Sequence, residues 1–223
     1  MYSEKIIEIY AKVCSCNSLI CAEFSEIYNC PSKGSPPRGF FTEAQGEIDI
    51  LVVGKNPGHV LESEAKLYLD LFGAELVKTH LEFSKNTFYK INQLNRKERQ
   101  STKFHSNLIE YMSFVLGEES DEIFKKVAYT NLVKCSTRND EQAKLTRRSI
   151  DECFNRHLVN EINYFNPKII FALGREVEKY LSATEVIYKY PLVYIKHPSY
   201  HYKKEEKLMK LNQLRNHFLD AVN

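Results

Sequence analysis

The sequence predicts an α/β fold: a three-layer α/β/α sandwich with a central four-stranded parallel sheet. Two observations predict it. Four short apolar, β-rich runs, "IDILVVG" (48–54), "VAYTNLV" (127–133), "KIIFALG" (168–174) and "LVYIK" (192–196), are each bounded by polar or turn residues and read as buried strands. Between them lie stretches with helical period, and strands alternating with helices argue for a parallel sheet covered on both faces.

The N-terminal stretch carries Glu4 and Glu8 at helical spacing and lacks the basic-then-apolar plan of a signal peptide. Residues 32–47 are rich in Pro and Gly and read as an ordered loop leading into the first strand. Over 61–80, Leu61, Ala65, Leu67, Leu69, Leu71 and Leu76 form a broad apolar stripe and predict a helix. The polar stretch 81–105 has no clear period and reads as an insertion beside that helix. Over 146–165, Ile150, Phe154, Leu158, Ile162 and Phe165 recur at steps of four and three, and Pro167 ends the helix before the third strand. A last amphipathic helix is expected over 205–222, with Leu208, Leu211, Leu214, Phe218 and Leu219 inward.

A chain of 223 residues, 43% hydrophobic and 27% charged, suits one soluble domain spanning 1–223. No run approaches the roughly 20 apolar residues that cross a bilayer, so no membrane partner is expected and cytoplasmic residence is the default. A net charge of +2 permits a polyanionic partner without demanding one. The runs "LNRKERQSTK" (94–103), "LTRRS" (145–149) and "YHYKKEEK" (200–207) read first as solvated faces. Nothing in the pattern calls for an obligate dimer, and a monomer is expected.

Open parallel sheets bind ligands beyond the carboxyl ends of their strands. After the first strand comes Gly54-Lys55-Asn56-Pro57-Gly58; late in the second comes Asn131, followed by Lys134 and Cys135; after the fourth comes His197-Pro198-Ser199-Tyr200-His201. Singly these are a turn, a polar core residue and a loop. Jointly they gather two carboxamides, an imidazole and a hydroxyl at one sheet edge. A carboxamide offers a donor and an acceptor, the complement of a pyrimidine imide edge, and a neutral imidazole donates to a developing oxyanion.

With "GKNPG", "YTNLVKC", "NPKIIFALG" and "HPSY" in this order, the chain resembles the uracil-DNA glycosylase superfamily, most closely its iron–sulfur family 4. The resemblance implies catalytic roles for Asn56, positioning water, and His197, donating to uracil O2. It implies base recognition by Asn131, a pocket made by Gly54, Lys55, Pro57, Gly58 and a stacking aromatic at Tyr68 (or Phe72), and DNA contacts from Ser199, Tyr200 and His201. The substrate implied is DNA containing uracil or another deaminated base. Two departures stand out. Family 4 carries Glu where this chain has Lys55, and Asn56 matches instead the Gly-Ile-Asn-Pro-Gly motif of the mismatch-specific branch. An amide orients water but does not deprotonate it, so a slower enzyme is expected than a carboxylate-bearing relative.

The six cysteines are Cys14, Cys16, Cys21, Cys30, Cys135 and Cys153. The resemblance implies a [4Fe–4S] cluster held by four of them, Cys30, Cys135, Cys153 and one more; Cys30 and that fourth ligand belong to an N-terminal helix and cluster-binding segment covering 1–47. The family's partner of Cys30 lies three residues earlier, where this chain has Ile27. Cys21, Cys16 or Cys14 takes its place, Cys21 being preferred. The alternative function is a non-catalytic iron–sulfur DNA-binding relative, to which Lys55 points. A small-molecule nucleotide hydrolase is a third reading, with no need for the HPS motif.

Overall fold

The computed structural model describes residues 2–18, 20, 27–29, 39–57, 71–89, 103–119, 122–137, 145–200 and 202–223. Helix α1 (Glu4–Cys14) starts at Ser3, whose hydroxyl accepts from Ile6 N and so satisfies one of the free amides of the first turn. It buries Ile6, Ile9, Tyr10 and Val13. Strand β1 (Ile27–Asn29) comes next, then β2 (Phe41–Thr42) and β3 (Ile50–Gly54). Helices α2 (Gly73–Tyr89) and α3 (Lys103–Leu116) lead to β4 (Val127–Asn131) and β5 (Ser136–Thr137).

The second half runs through α4 (Arg147–Cys153), a π-helical turn (Phe154–Leu158) and α5 (Val159–Phe165) as one continuous rod. Strand β6 (Ile169–Leu173), helices α6 (Arg175–Ser182) and α7 (Val186–Lys189), strand β7 (Leu192–Ile195) and helix α8 (Lys204–Val222) complete the chain. The main sheet has the order β2-β4-β3-β6-β7, and β1 pairs with β5 in a separate antiparallel ribbon. The pairs β3/β4, β3/β6 and β6/β7 are parallel, in registers that set Gly54 beside Asn131 and Val53 beside Ala172. All residues of β3, β4 and β6 are buried, which requires cover on both faces and explains the unbroken apolar runs.

Three expectations are corrected. The sheet has five strands, because Phe41 and Thr42, inside the stretch expected to be loop, pair antiparallel with Tyr129 and Ala128. Two residues are too few to show alternation; buried Phe40 and Phe41 hold this edge strand in place. Residues 81–89 are helical, the continuation of α2, with Leu81 and Phe88 buried among polar neighbours. The expected stripe over 61–70 lies outside the described residues. In α8 the inward residues are Leu211, Leu214 and Phe218, whereas Leu208 and Leu219 are 54% and 41% exposed. Steps of three and four from Leu211 to Phe218 make a narrow stripe, and Leu219 lies about 100° off Phe218.

The rod over 147–165 shows how sequence spacing shapes a helix. Ile150, Phe154, Leu158 and Ile162 are separated by three consecutive steps of four, which in a 3.6-residue helix would drift by about 40° each. The wider π turn absorbs that drift, and Phe154, Leu158, Ile162 and Phe165 all stay buried.

Candidate active site

All four parallel strands end at the same edge. Past the end of β3 the ladder continues as Leu132 N donates to Gly54 O (2.8 Å) and Val133 N to Lys55 O (2.9 Å), fixing the turn that carries Asn56. Asn56 Nδ2 donates to Pro57 O at 3.1 Å. Lys55 pairs with Glu176 on α6 at 2.6 Å, so the lysine of the motif is directed to the helix after β6.

Asn131 is fully buried. Its Nδ2 donates to Gly39 O, and its Oδ1 accepts from Tyr129 Oη at 3.2 Å. A carbonyl only accepts, so the amide orientation is fixed: nitrogen toward Gly39, oxygen toward Tyr129 and Gly54. A Cβ at Gly54 would overlap the Asn131 oxygen, and one at Gly39 would overlap the Asn131 nitrogen and Pro57. Gly39 also has φ +78°, which disfavours a side chain there. The glycine that opens the motif is thus required by the carboxamide one strand away. Tyr129→Phe keeps the ring and leaves Asn131 Oδ1 without its donor; we expect a loss of about 1–2 kcal/mol in urea unfolding.

The second motif residue is set by a turn. Tyr200 N donates to His197 O (2.8 Å), and Ser199 N donates to His197 Nδ1 (3.3 Å). A ring nitrogen that accepts carries no proton, so neutral His197 has its N–H at Nε2. Asn107 Nδ2 of α3 donates to Pro198 O, tying the turn to that helix. The His197 ring packs on Phe104 (centroids 5.1 Å), Phe104 on Tyr129 (5.5 Å), and Tyr129 bonds Asn131. This chain of contacts joins the ends of β4 and β7 across the edge.

Partial desolvation lowers the His197 pKa below its ordinary value of 6.5. Protonation would turn Nδ1 from acceptor to donor and break the contact with Ser199 N–H. Any activity that uses this turn is therefore expected to hold through pH 6.5 and decline only below it, and His197→Gln should remove that acid limb from a pH–rate profile.

Tyr200 is 48% exposed, with Lys196 Nζ 4.0 Å from its ring centroid and Tyr202 packed edge-on at 5.0 Å. Ser199 is exposed, so its hydroxyl is available to a phosphate. Phe72 is 80% exposed. Gly58, Tyr68 and His201 lie outside the described residues.

Behind Asn131 sits a buried ion pair. Lys134 Nζ donates to Glu161 Oε2 (2.8 Å), Thr130 Oγ1 (2.6 Å) and Asn131 O (2.8 Å), which uses all three ammonium protons. Glu161 Oε1 has no hydrogen-bond partner among the described residues. The main-chain N–H of Lys134 donates to Cys153 Sγ at 3.3 Å.

The cysteines divide. Cys14 packs in the main core with Ile6 and Val13, and burial pushes its thiol up to about 12. Cys16, Cys135 and Cys153 line one small cavity, together with Lys134, Arg156 and His157. Among the described residues no three His, Cys, Asp or Glu side chains are close enough to hold a single metal ion. Three soft thiols around one cavity, one of them accepting an N–H···S bond, are nevertheless the donor chemistry of an iron–sulfur cluster, so the residues present fit the group the resemblance implies. Cys21 and Cys30 lie outside the described residues.

Sequence reading missed Gly39, Phe104, Asn107, Tyr129 and Glu161. Two of these carried a signal. Tyr129 is two residues before Asn131 on a strand and so on its face, and Glu161 interrupts the apolar side of the rod between Leu158 and Ile162.

The carboxyl ends of the four parallel strands thus carry Asn56, buried Asn131 and the His197 turn, at the edge where open α/β sheets bind ligands. The family model of the uracil DNA glycosylase superfamily matches residues 41–223, and the chain belongs to that superfamily. Membership points to a DNA glycosylase and to DNA as the binding partner. No curated protein matches the chain.

Proposed function

We propose that the protein is a monofunctional DNA glycosylase that hydrolyses the N-glycosidic bond of uracil, or another deaminated base, in DNA. In this reading it acts as a cytoplasmic monomer with a [4Fe–4S] cluster. The observation that carries the reading is the contact chain His197–Phe104–Tyr129–Asn131, which couples an Nε2–H donor to an amide of fixed orientation.

The target base leaves the stack before its bond is reached. Asn131 keeps one N–H and one lone pair beyond its bonds to Gly39 and Tyr129, enough for the O4 and N3–H of uracil. Cytosine presents the opposite pattern and is rejected. Asn131 has no exposed surface and its nitrogen is bonded to Gly39 O, so base entry requires that cover to part. As the C1′–N1 bond breaks, its electron pair passes to the base, and His197 Nε2–H donates to O2 where the charge collects. Asn56 orients a water whose oxygen bonds C1′; one proton of that water balances the departing base. Ser199 and the neighbouring turn amides hold phosphate. The cluster, when bound, supplies a cross-link through thiolate–iron bonds.

One observation favours the second reading, a non-catalytic DNA-binding relative: Asn131 is fully buried with both amide atoms engaged by the protein. Incubation with oligonucleotides carrying a single uracil, hypoxanthine or mismatched thymine, followed by hot alkali, decides between them. Strand breakage at uracil is the expected result. Binding without breakage at any of these bases would sink the glycosylase reading.

A further inference from the structure

We infer that Cys16, with Cys135 and Cys153, is a thiolate ligand of the iron–sulfur centre, in the position for which the sequence left Cys14, Cys16 and Cys21 open, Cys21 being preferred. The inference rests on the cluster reading above and adds the identity of the N-terminal donor. Cys16 follows the end of α1, where its N–H donates to Val13 O at 3.2 Å, so helix geometry sets its position. Two residues on, Ser18 Oγ donates to Glu152 Oε1 at 3.0 Å, and Glu152 neighbours Cys153 on α4. That bond pins the segment bearing Cys16 against the helix bearing Cys153.

The cavity between them is completed by Cys135, which follows Lys134 beyond the end of β4. Its wall is prepared for a charged sulfur centre in two ways. The main-chain N–H of Lys134 donates to Cys153 Sγ at 3.3 Å, a bond that favours the thiolate, and Arg156 lines the cavity beside its ion-pair partner Glu152. His157 lines the same cavity, is 5% exposed, and has an Nε2 with no hydrogen-bond partner among the described residues. A buried polar atom left so is one that a bound group completes. Cys14, two residues earlier, is on the other side of the helix end: it is 7% exposed and belongs to the apolar core. The odd spacing of the N-terminal cysteines then has a physical reading. One of the pair, Cys14, packs α1, and the other, Cys16, faces the centre.

The test is iron and acid-labile sulfide per chain, with the visible charge-transfer absorbance, on anaerobically purified wild type, Cys14→Ser, Cys16→Ser and Cys21→Ser. Cys16→Ser is expected to lower retained iron about tenfold or more under mild chelation, as loss of a cluster contact does, while Cys14→Ser and Cys21→Ser stay at the wild-type level. Circular dichroism of each chain shows whether iron loss reflects unfolding. As a folded control, Cys16→Ser should keep the wild-type spectrum of the metal-stripped protein. Full iron in Cys16→Ser with loss in Cys21→Ser would overturn the inference and leave the cluster reading standing. A wild type that takes up no iron would remove the cluster reading itself.

Discussion

Lys134→Met is expected to destabilise the fold by about 3–5 kcal/mol, measured by urea unfolding near neutral pH. The lysine is 2% exposed and its partner Glu161 fully buried. Methionine fills most of the volume but leaves the Glu161 carboxylate in the core without its cation, and one of its oxygens already has no partner among the described residues. Two other acceptors around the ammonium, Thr130 Oγ1 and Asn131 O, would also lose their donor. Burying a charge pair is costly in itself, so removing both members is far milder than removing one. The paired change Lys134→Met/Glu161→Leu should therefore recover most of the loss. If the single change is harmless, the ion pair does not hold this region together.

The second large effect is chemical. His197→Ala is expected to lower single-turnover base excision by about 10²–10³-fold, the usual consequence of deleting a donor to a developing oxyanion. The effect should fall on the chemical step, with DNA affinity nearly unchanged, because the ring is set by Ser199 N–H and Phe104 and not by surface charge. His197→Gln retains a donor and should fall between alanine and wild type. Equal loss of DNA binding in His197→Ala would instead make the residue part of the grip on DNA.

Most of the fold was legible because burial on both faces leaves an unmistakable run of apolar residues, as in "ILVVG" of β3. Asn56, Asn131 and His197 were legible for a related reason: each is a polar group directly at or after such a run. What escaped has physical causes. Strand β2 owes its existence to Tyr129 and Ala128 opposite it, contacts that no local period encodes. Phe104 and Asn107 sit on a helix behind a polar stretch, and their value comes from meeting a turn about ninety residues away. Leu208 and Leu219 looked inward by composition, but only three positions of α8 face the core. Among the cysteines, spacing alone did not separate Cys14 from Cys16; the end of α1 does, by turning one into the core and the other toward Cys135 and Cys153.

The chemistry is expected at the carboxyl edge of the sheet, between the turn of Asn56, the amide of Asn131 and the ring of His197. Single-turnover excision of uracil from one defined oligonucleotide, compared for wild type, Asn56→Ala, Asn131→Ala and His197→Ala at matched fold content, tests it most directly. Excision by the wild type that all three substitutions reduce by about 10²-fold or more is the predicted result. Excision that survives all three unchanged, or a wild type that leaves uracil in place, would contradict it.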